Sequence, residues 1–184
     1  MAQLAISKAR LFLIAAAVVL LSIALRLFLP PSVSSSAQLS TSDEAIERGE
    51  YLVIAGGCIS CHRGEEDEES FIGGLALETD FGTFFAPNIT PDMETGIGSW
   101  QAEDFLLALK HGRKPGGSFY YPAFPFRAYA GLSDQDAVDI GSYLMSLDPK
   151  ANSVPDAQTP LWLNRWAMAG WNLMADISEV EYEA

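Results

Sequence analysis

Hydrophobic residues are spread unevenly along this chain of 184 residues. Residues 11–29, LFLIAAAVVLLSIALRLFL, form an apolar run interrupted only by Ser22 and Arg26. As a helix rising about 1.5 Å per residue it would be roughly 28 Å long, close to the hydrocarbon thickness of a bilayer. The run predicts one N-terminal transmembrane helix, with residues 1–29 as a membrane anchor. Lys8 and Arg10 precede it, so the N-terminus is expected in the cytoplasm and the remainder outside. A cleaved signal peptide is the alternative, with Ser35–Ala37 as a weak cleavage site. Arg26 and Pro30-Pro31 interrupt the approach to that site. In an uncleaved anchor Arg26 would snorkel to the outer headgroups.

Beyond the run the pattern changes to short amphipathic stretches separated by long loops. Residues 30–41, PPSVSSSAQLST, are rich in Pro and Ser and predict a flexible tether. A first helix is expected from Ser42 to Gly56, with Thr41 and Glu44 as a capping box. Residues 63–98 lack a sustained period and predict loop. A second helix is expected from Trp100 to His111, with Phe105, Leu106 and Leu109 on one side and Gly112 as its stop. A loop rich in Pro and aromatic residues follows. A third helix is expected from a Ser133 N-cap to Ser146, before Asp148-Pro149. In the tail, residues 151–184, the apolar positions Leu163, Trp166, Ala167, Gly170, Trp171 and Met174 keep helical spacing. That tail reads as a Trp-rich strap packed on the domain, or as a strip at a membrane interface, ending in a loose acidic tip.

Charge narrows the function classes. Past residue 30, eight Lys and Arg stand against 24 Asp and Glu, a balance of 8 − 24 = −16. Such a surface excludes nucleic acid as a partner and predicts a redox protein or membrane complex with a basic docking face. Five consecutive acids, Glu65–Glu69, carry much of it. They read either as a steering patch or as a solvated loop.

The acids follow the one motif that carries chemistry, Cys58-Ile59-Ser60-Cys61-His62. In an exported chain, Cys-x-x-Cys-His reads as covalent c-type haem attachment. Each thiol adds to a haem vinyl group as a thioether, and the adjacent imidazole becomes the proximal iron ligand. A Cys58–Cys61 disulfide is possible in an oxidising compartment. A thioredoxin-like pair would want a βαβ context, and zinc would want a fourth ligand from a chain with two cysteines and two histidines. The reading is one haem c, on Cys58 and Cys61, with His62 proximal.

With these elements in order, residues 42–148 resemble class I c-type cytochromes. More narrowly, RGEYLVIAGGCISCH, FGTFFAPNITPDMETGIGSW, YYPAFPF and SYLMSLDP are similar to the cytochrome c subunits of membrane-bound bacterial dehydrogenases, such as the alcohol dehydrogenase cytochrome subunit, and to related dihaem cytochromes. Those relatives often carry two or three haem domains, whereas this sequence has one haem motif. The resemblance implies an all-α class I cytochrome c domain over residues 42–150, with long haem-wrapping loops. It implies that Gly49 packs closely on Tyr143, and that Trp100 and Asn88 contact the haem propionate edge. The aromatic residues Phe81, Phe84, Phe85, Phe119, Tyr120, Tyr121, Phe124 and Phe126 are expected around the haem, with Tyr121 and Phe124 in contact with it.

The sixth iron ligand is where the sequence departs from those relatives. A methionine in a Pro-Ala-Met-Pro-Tyr loop commonly binds the iron there, and this chain has Pro122-Ala123-Phe124-Pro125-Phe126. His111 is the first candidate and Met93 the alternative. Lys114 and Met145 are further ones, and an open site remains. The expected function is that of a membrane-anchored monohaem electron carrier, not an enzyme. It would serve a membrane redox complex or dehydrogenase in a respiratory chain, single-pass in the bacterial cytoplasmic membrane with its haem domain in the periplasm. The alternatives are a five-coordinate haem that binds or senses small ligands, and an accessory docking subunit of a respiratory or photosynthetic complex.

Overall fold

A computed structural model describes residues 8–29, 31–165 and 167–177, with the side chains of 23, 26–28 and 173–177 outside the described set. The elements are α1 Lys8–Phe28, α2 Asp43–Ala55, α3 Cys58–His62, β1 Ala76–Thr79, β2 Gly82–Phe85, α4 Ala102–His111, α5 Phe126–Tyr129, α6 Asp134–Ser146 and α7 Ala167–Ile177.

The helix α2 starts one residue later than its sequence signal. Ser42, not Thr41, is the N-cap, its hydroxyl accepting from the Ala45 N–H. Likewise α4 begins past Trp100, where Gln101 and Asp104 form a reciprocal capping box, and it stops at Gly112, φ 60°. The third expected helix is found with its Ser133 cap.

The frame of the domain is the crossing of α2 on α6, its principal helix interface. Gly49 makes that crossing possible. A methyl group there would overlap the Asp139 carbonyl oxygen and lie 2.8 Å from Tyr143 Cβ. Beside it, the fully buried Asp139 pairs with Arg48 across the interface and accepts from Gln135 Nε2 at 2.8 Å. A buried carboxylate is tolerated only with such partners. The main core cluster, Val53, Phe71, Ile97, Phe105, Ile140 and Leu144, fills the space behind the crossing. Phe105 meets Trp100 edge-on at 5.2 Å.

Three sequence expectations are corrected. The segment from Val33 to Ser40 is not free. Ala37 is buried in a second cluster with Leu106, Ala137 and Val138, while Val33 and Leu39 pack against it. The Ser40 N–H donates to Ser142 Oγ at 3.0 Å. Three apolar residues spaced along an extended segment fill the groove beside α4 and α6, a period that Ser-rich composition conceals.

The second correction concerns the loop 63–98. It contains the antiparallel β1–β2 hairpin, Ala76 opposite Phe85 and Thr79 opposite Gly82. Thr83 exchanges backbone hydrogen bonds with Gln158 of the tail at 2.8 and 3.1 Å. The fold is therefore mostly helical rather than purely so.

Third, the tail buries only part of the expected stripe: Leu163 packs against the Phe119 cluster, while Ala167 and Gly170 are exposed. Met168 and Ala169 pack on Phe119, whereas Trp171 is 46% and Trp162 65% exposed, and Leu161 is almost fully so. Trp166 lies outside the described residues. Arg165 fixes the strap, donating to the Phe119 carbonyl at 2.9 Å with its guanidinium 4.7 Å above the Tyr121 ring.

The first helix, α1, has 21 residues, about 32 Å of helix, with its described apolar side chains mostly exposed. Among the described residues no helix is long and apolar enough to cross a membrane. The expected transmembrane helix therefore rests on the sequence of the run, part of whose side chains fall outside the described set.

Candidate haem site

A single helical turn, α3, carries the motif. It is entered through Gly57, whose φ of 67° lies in the left-handed region that favours glycine. One turn places the Cys58 and Cys61 thiols on one side, both partly exposed and neither in a disulfide. Burial pushes the Cys58 thiol up, with its own backbone N–H working the other way. That is opposite to the depressed thiol of a redox-active pair.

His62 is half-buried beside them. Its Nδ1 lies 2.8 Å from the Pro87 carbonyl, to which only an Nδ1–H can donate. This tautomer leaves the Nε2 lone pair for a metal and fixes the plane of the ring. Desolvation holds the imidazole below its ordinary pKa, the Pro87 bond opposing in part. Pro87 was not legible as a partner in the sequence. Its carbonyl is positioned by Gly73, φ 70°, where a Cβ would come within 2.5 Å of the Pro87 carbonyl atoms. The Gly73 N–H also donates to the His62 carbonyl at 2.8 Å. Two free thiols one turn apart and an oriented neutral imidazole are the donor set that haem c requires.

The other expected site residues fall into separate groups. Trp100 is half-buried against the core cluster, and no described residue accepts from its indole N–H. Asn88 is buried and turned to protein. Its amide donates to Thr95 Oγ1 at 3.1 Å and the Lys150 carbonyl at 2.7 Å, and its oxygen accepts from the Thr90 N–H and hydroxyl. Those four bonds use the capacity of its side chain, and they brace the loop after Pro87. Tyr121 packs 5.1 Å from Phe84, beneath Arg165, in the cluster with Phe119 and the strap. Phe81 is 52% exposed at the hairpin turn. The aromatic residues thus divide between hairpin and strap on one side and the motif on the other.

Phe124 belongs to the second group. It stacks on Tyr129 at 5.9 Å and meets Tyr120 edge-on at 5.2 Å. The Tyr129 hydroxyl donates to the Gly56 carbonyl at 2.9 Å, just before the motif. Burial raises the Tyr129 phenol, and both cysteines add to that. Sequence reasoning missed Tyr129, which nothing in its short Pro-Phe-Arg-Ala-Tyr segment distinguishes from packing.

The candidate sixth ligands occupy different places in the structure. His111 is exposed at the end of α4, its pKa lowered by burial and by Lys110 and Arg113. Met93 is 69% exposed, with its Sδ over Gly98. Met145 lines a groove with Leu39, Ile46 and Ser142. Lys114 is half-buried, with Nζ 5.7 Å from the Tyr120 ring centre.

The acidic stretch is only partly solvated. Asp67 pairs with Lys150 at 2.7 Å and Glu68 with Arg63 at 3.6 Å, while Glu65, Glu66 and Glu69 are exposed. Hydrogen bonds from Lys150 and then Ser70 hold the Asp67 carboxyl below its usual range. A depressed carboxylate contributes stability that is present above its unfolded pKa near 4 and lost as pH falls through the lower folded value. Lys150→Ala should therefore lower stability slightly at neutral pH and flatten the acid limb of a melting-temperature profile below about pH 4. An unchanged acid limb would show that the pair contributes nothing.

A cytochrome c family profile matches residues 46–148. This chain belongs to the cytochrome c family. Among its relatives, it is 41% identical over 167 residues to a diheme cytochrome c-type protein of Cereibacter sphaeroides, covering 86% of this cytochrome and 56% of the relative. It is 39% identical to the gluconate 2-dehydrogenase cytochrome c subunit of Pantoea cypripedii, covering 76% and 32%. It is 38% identical to the cytochrome c subunit of a quinone alcohol dehydrogenase of Gluconobacter oxydans, covering 76% and 30%. This cytochrome spans about half the length of the first relative and about a third of the other two.

Proposed function

We propose that this cytochrome is a one-haem, membrane-anchored electron carrier. It would pass single electrons between a dehydrogenase or other membrane redox complex and an acceptor, at the periplasmic face of a bacterial cytoplasmic membrane. The observation that carries this reading is His62, whose Nδ1–H is committed to Pro87 while Nε2 stays available beside two free thiols. When bound, haem c supplies an iron that cycles between ferric and ferrous forms. The chain's part is to hold it through Cys58 and Cys61, to orient His62, and to surround it with apolar side chains that limit water. No substrate-converting step is assigned to these residues.

The anchor reading is supported by the apolar run at 11–29 and the 21-residue length of α1. A basic docking face on the partner is supported by the exposed Glu65, Glu66 and Glu69 and the acidic balance of the chain.

The test uses the full chain expressed with haem-attachment machinery. Expected results are one haem per chain, a reversible one-electron couple at an electrode, and retention in alkaline-washed membranes. Absence of a reversible couple would overturn the carrier reading. Release by alkaline washing would overturn the anchor alone.

A further inference from the structure

We propose that the strap and the β1–β2 turn form a lipid-facing surface, with Leu161, Trp162, Trp171 and Phe81 entering the headgroup region of the bilayer. This rests on the anchor reading above and adds a second contact with the same membrane.

Position is the first ground. Among the described residues, α7 is the named element that touches α1, the helix carrying the apolar run. On its other side α7 seats Met168 and Ala169 against Phe119. The strap is therefore held between the domain and the anchor. Its large side chains that pack on neither are Leu161, almost fully exposed, and the exposed Trp162 and Trp171. The hairpin turn brings a fourth, the exposed Phe81, alongside them. Thr83 pairs with Gln158 of the strap, and a Cβ on Gly82 would lie 2.2 Å from the Gln158 carbonyl oxygen. Two stretches of chain far apart in sequence thus expose large apolar side chains on the flank that carries α7.

Charge is the second ground, and it says what covers that flank. From Ala157 to Ala175 there is no Asp or Glu and a single cation, Arg165, in a chain where acids outnumber bases 24 to 8 beyond residue 30. Arg165 is turned inward, to the Phe119 carbonyl and the Tyr121 ring. A partner with a basic face has nothing to pair with on the strap, and finds its acids at Glu65, Glu66 and Glu69 instead. An indole has an apolar body and one polar N–H, which suits the boundary between hydrocarbon and headgroups. Glu78 and Asp80, exposed beside Phe81, favour zwitterionic over anionic headgroups.

The test places the full-length holoprotein in phosphatidylcholine nanodiscs doped with a diazirine-bearing phosphatidylcholine. Lipid adducts formed on irradiation are mapped by mass spectrometry. Adducts are expected on residues 78–85 and 157–171 as well as on α1. Leu161→Glu with Trp162→Glu should cut labelling of the β1–β2 turn about tenfold or more, as for loss of two large buried apolar side chains, while leaving α1 labelled. Neither side chain belongs to a core cluster, so the haem spectrum and the melting temperature should stay those of the wild type. Adducts on α1 with none on strap or turn would overturn the proposal and leave the anchor standing. No adducts on α1 would overturn the anchor reading. Equal labelling of the turn in wild type and variant would overturn the placement of Leu161 and Trp162. A wild-type dimer that the variant abolishes, with the strap unlabelled, would give this surface to a second copy of the chain in place of lipid.

Discussion

Gly49→Ala is expected to be among the most damaging single substitutions in the domain. Its methyl group would overlap a backbone oxygen of α6, and the next nearest atoms are the Asp139 carbonyl carbon and Tyr143 Cβ. Neither can turn aside. The first belongs to the backbone of a helix, and Tyr143 is held edge-on to Phe71 at 6.4 Å. The helices must part, which also stretches the Arg48–Asp139 pair and exposes a carboxylate that is otherwise fully buried. Overpacking of this kind costs about 3 kcal/mol or somewhat more. For a domain of roughly 100 residues that lowers the melting temperature by about 10–20 °C. Thermal unfolding of the ferric holoprotein checks it, with Gly131→Ala as control, since a Cβ there meets nothing within 4 Å. A drop no greater than the control's would mean that α2 and α6 cross less closely than described.

The second large effect is expected from removing both thiols. Cys58→Ala with Cys61→Ala abolishes covalent attachment, and the chain should then lose much of its helicity along with its haem. The reason lies in what packs on the main cluster. Cys58, Ile59, Trp100, Leu109 and Tyr143 are only partly buried against Val53, Phe105 and Ile140. A prosthetic group that binds the native state alone stabilises it by mass action, and its loss removes that contribution entirely. Far-UV circular dichroism of the double variant is the measurement. Native-like helicity with a cooperative melt would show that the three clusters suffice without the group.

How much of this could be read beforehand follows from the range of the signals. The helices α2, α4 and α6 were legible because periodicity, caps and Gly stops act within a few residues. Cys58, Cys61 and His62 stand out in the sequence because the chemistry proposed for them needs them adjacent. The close packing of Gly49 on Tyr143 came through family resemblance, and the structure places those residues in contact. Other features depend on partners distant in sequence. Pro87 acts 25 residues from His62, and Ser40 is held by Ser142 across 102 residues. Asn88 illustrates the difference. The family resemblance implied a haem contact for it, and its four side-chain bonds run to Thr90, Thr95 and Lys150, which no local pattern announces. The tail misled for a related reason. Helical spacing marked one stripe, while the strap buries Met168 and Ala169 because Phe119 is there to receive them.

The seated segment from Val33 to Ser40 has a mechanical meaning. With α1 in a bilayer, the four steps of chain from Leu29 to Val33 span at most about 14 Å. A free leash of twelve residues would let the haem domain sweep a hemisphere and present any side to a passing protein. If the proposed anchor holds α1 in the bilayer, a leash this short, leading into a packed groove, would make it a turret. It would rotate about the membrane normal yet keep one latitude of its surface turned outward. Electron exchange would then be governed by which flank a neighbour approaches, and lengthening the leash by a few Gly-Ser pairs would change partner choice before it changed the haem.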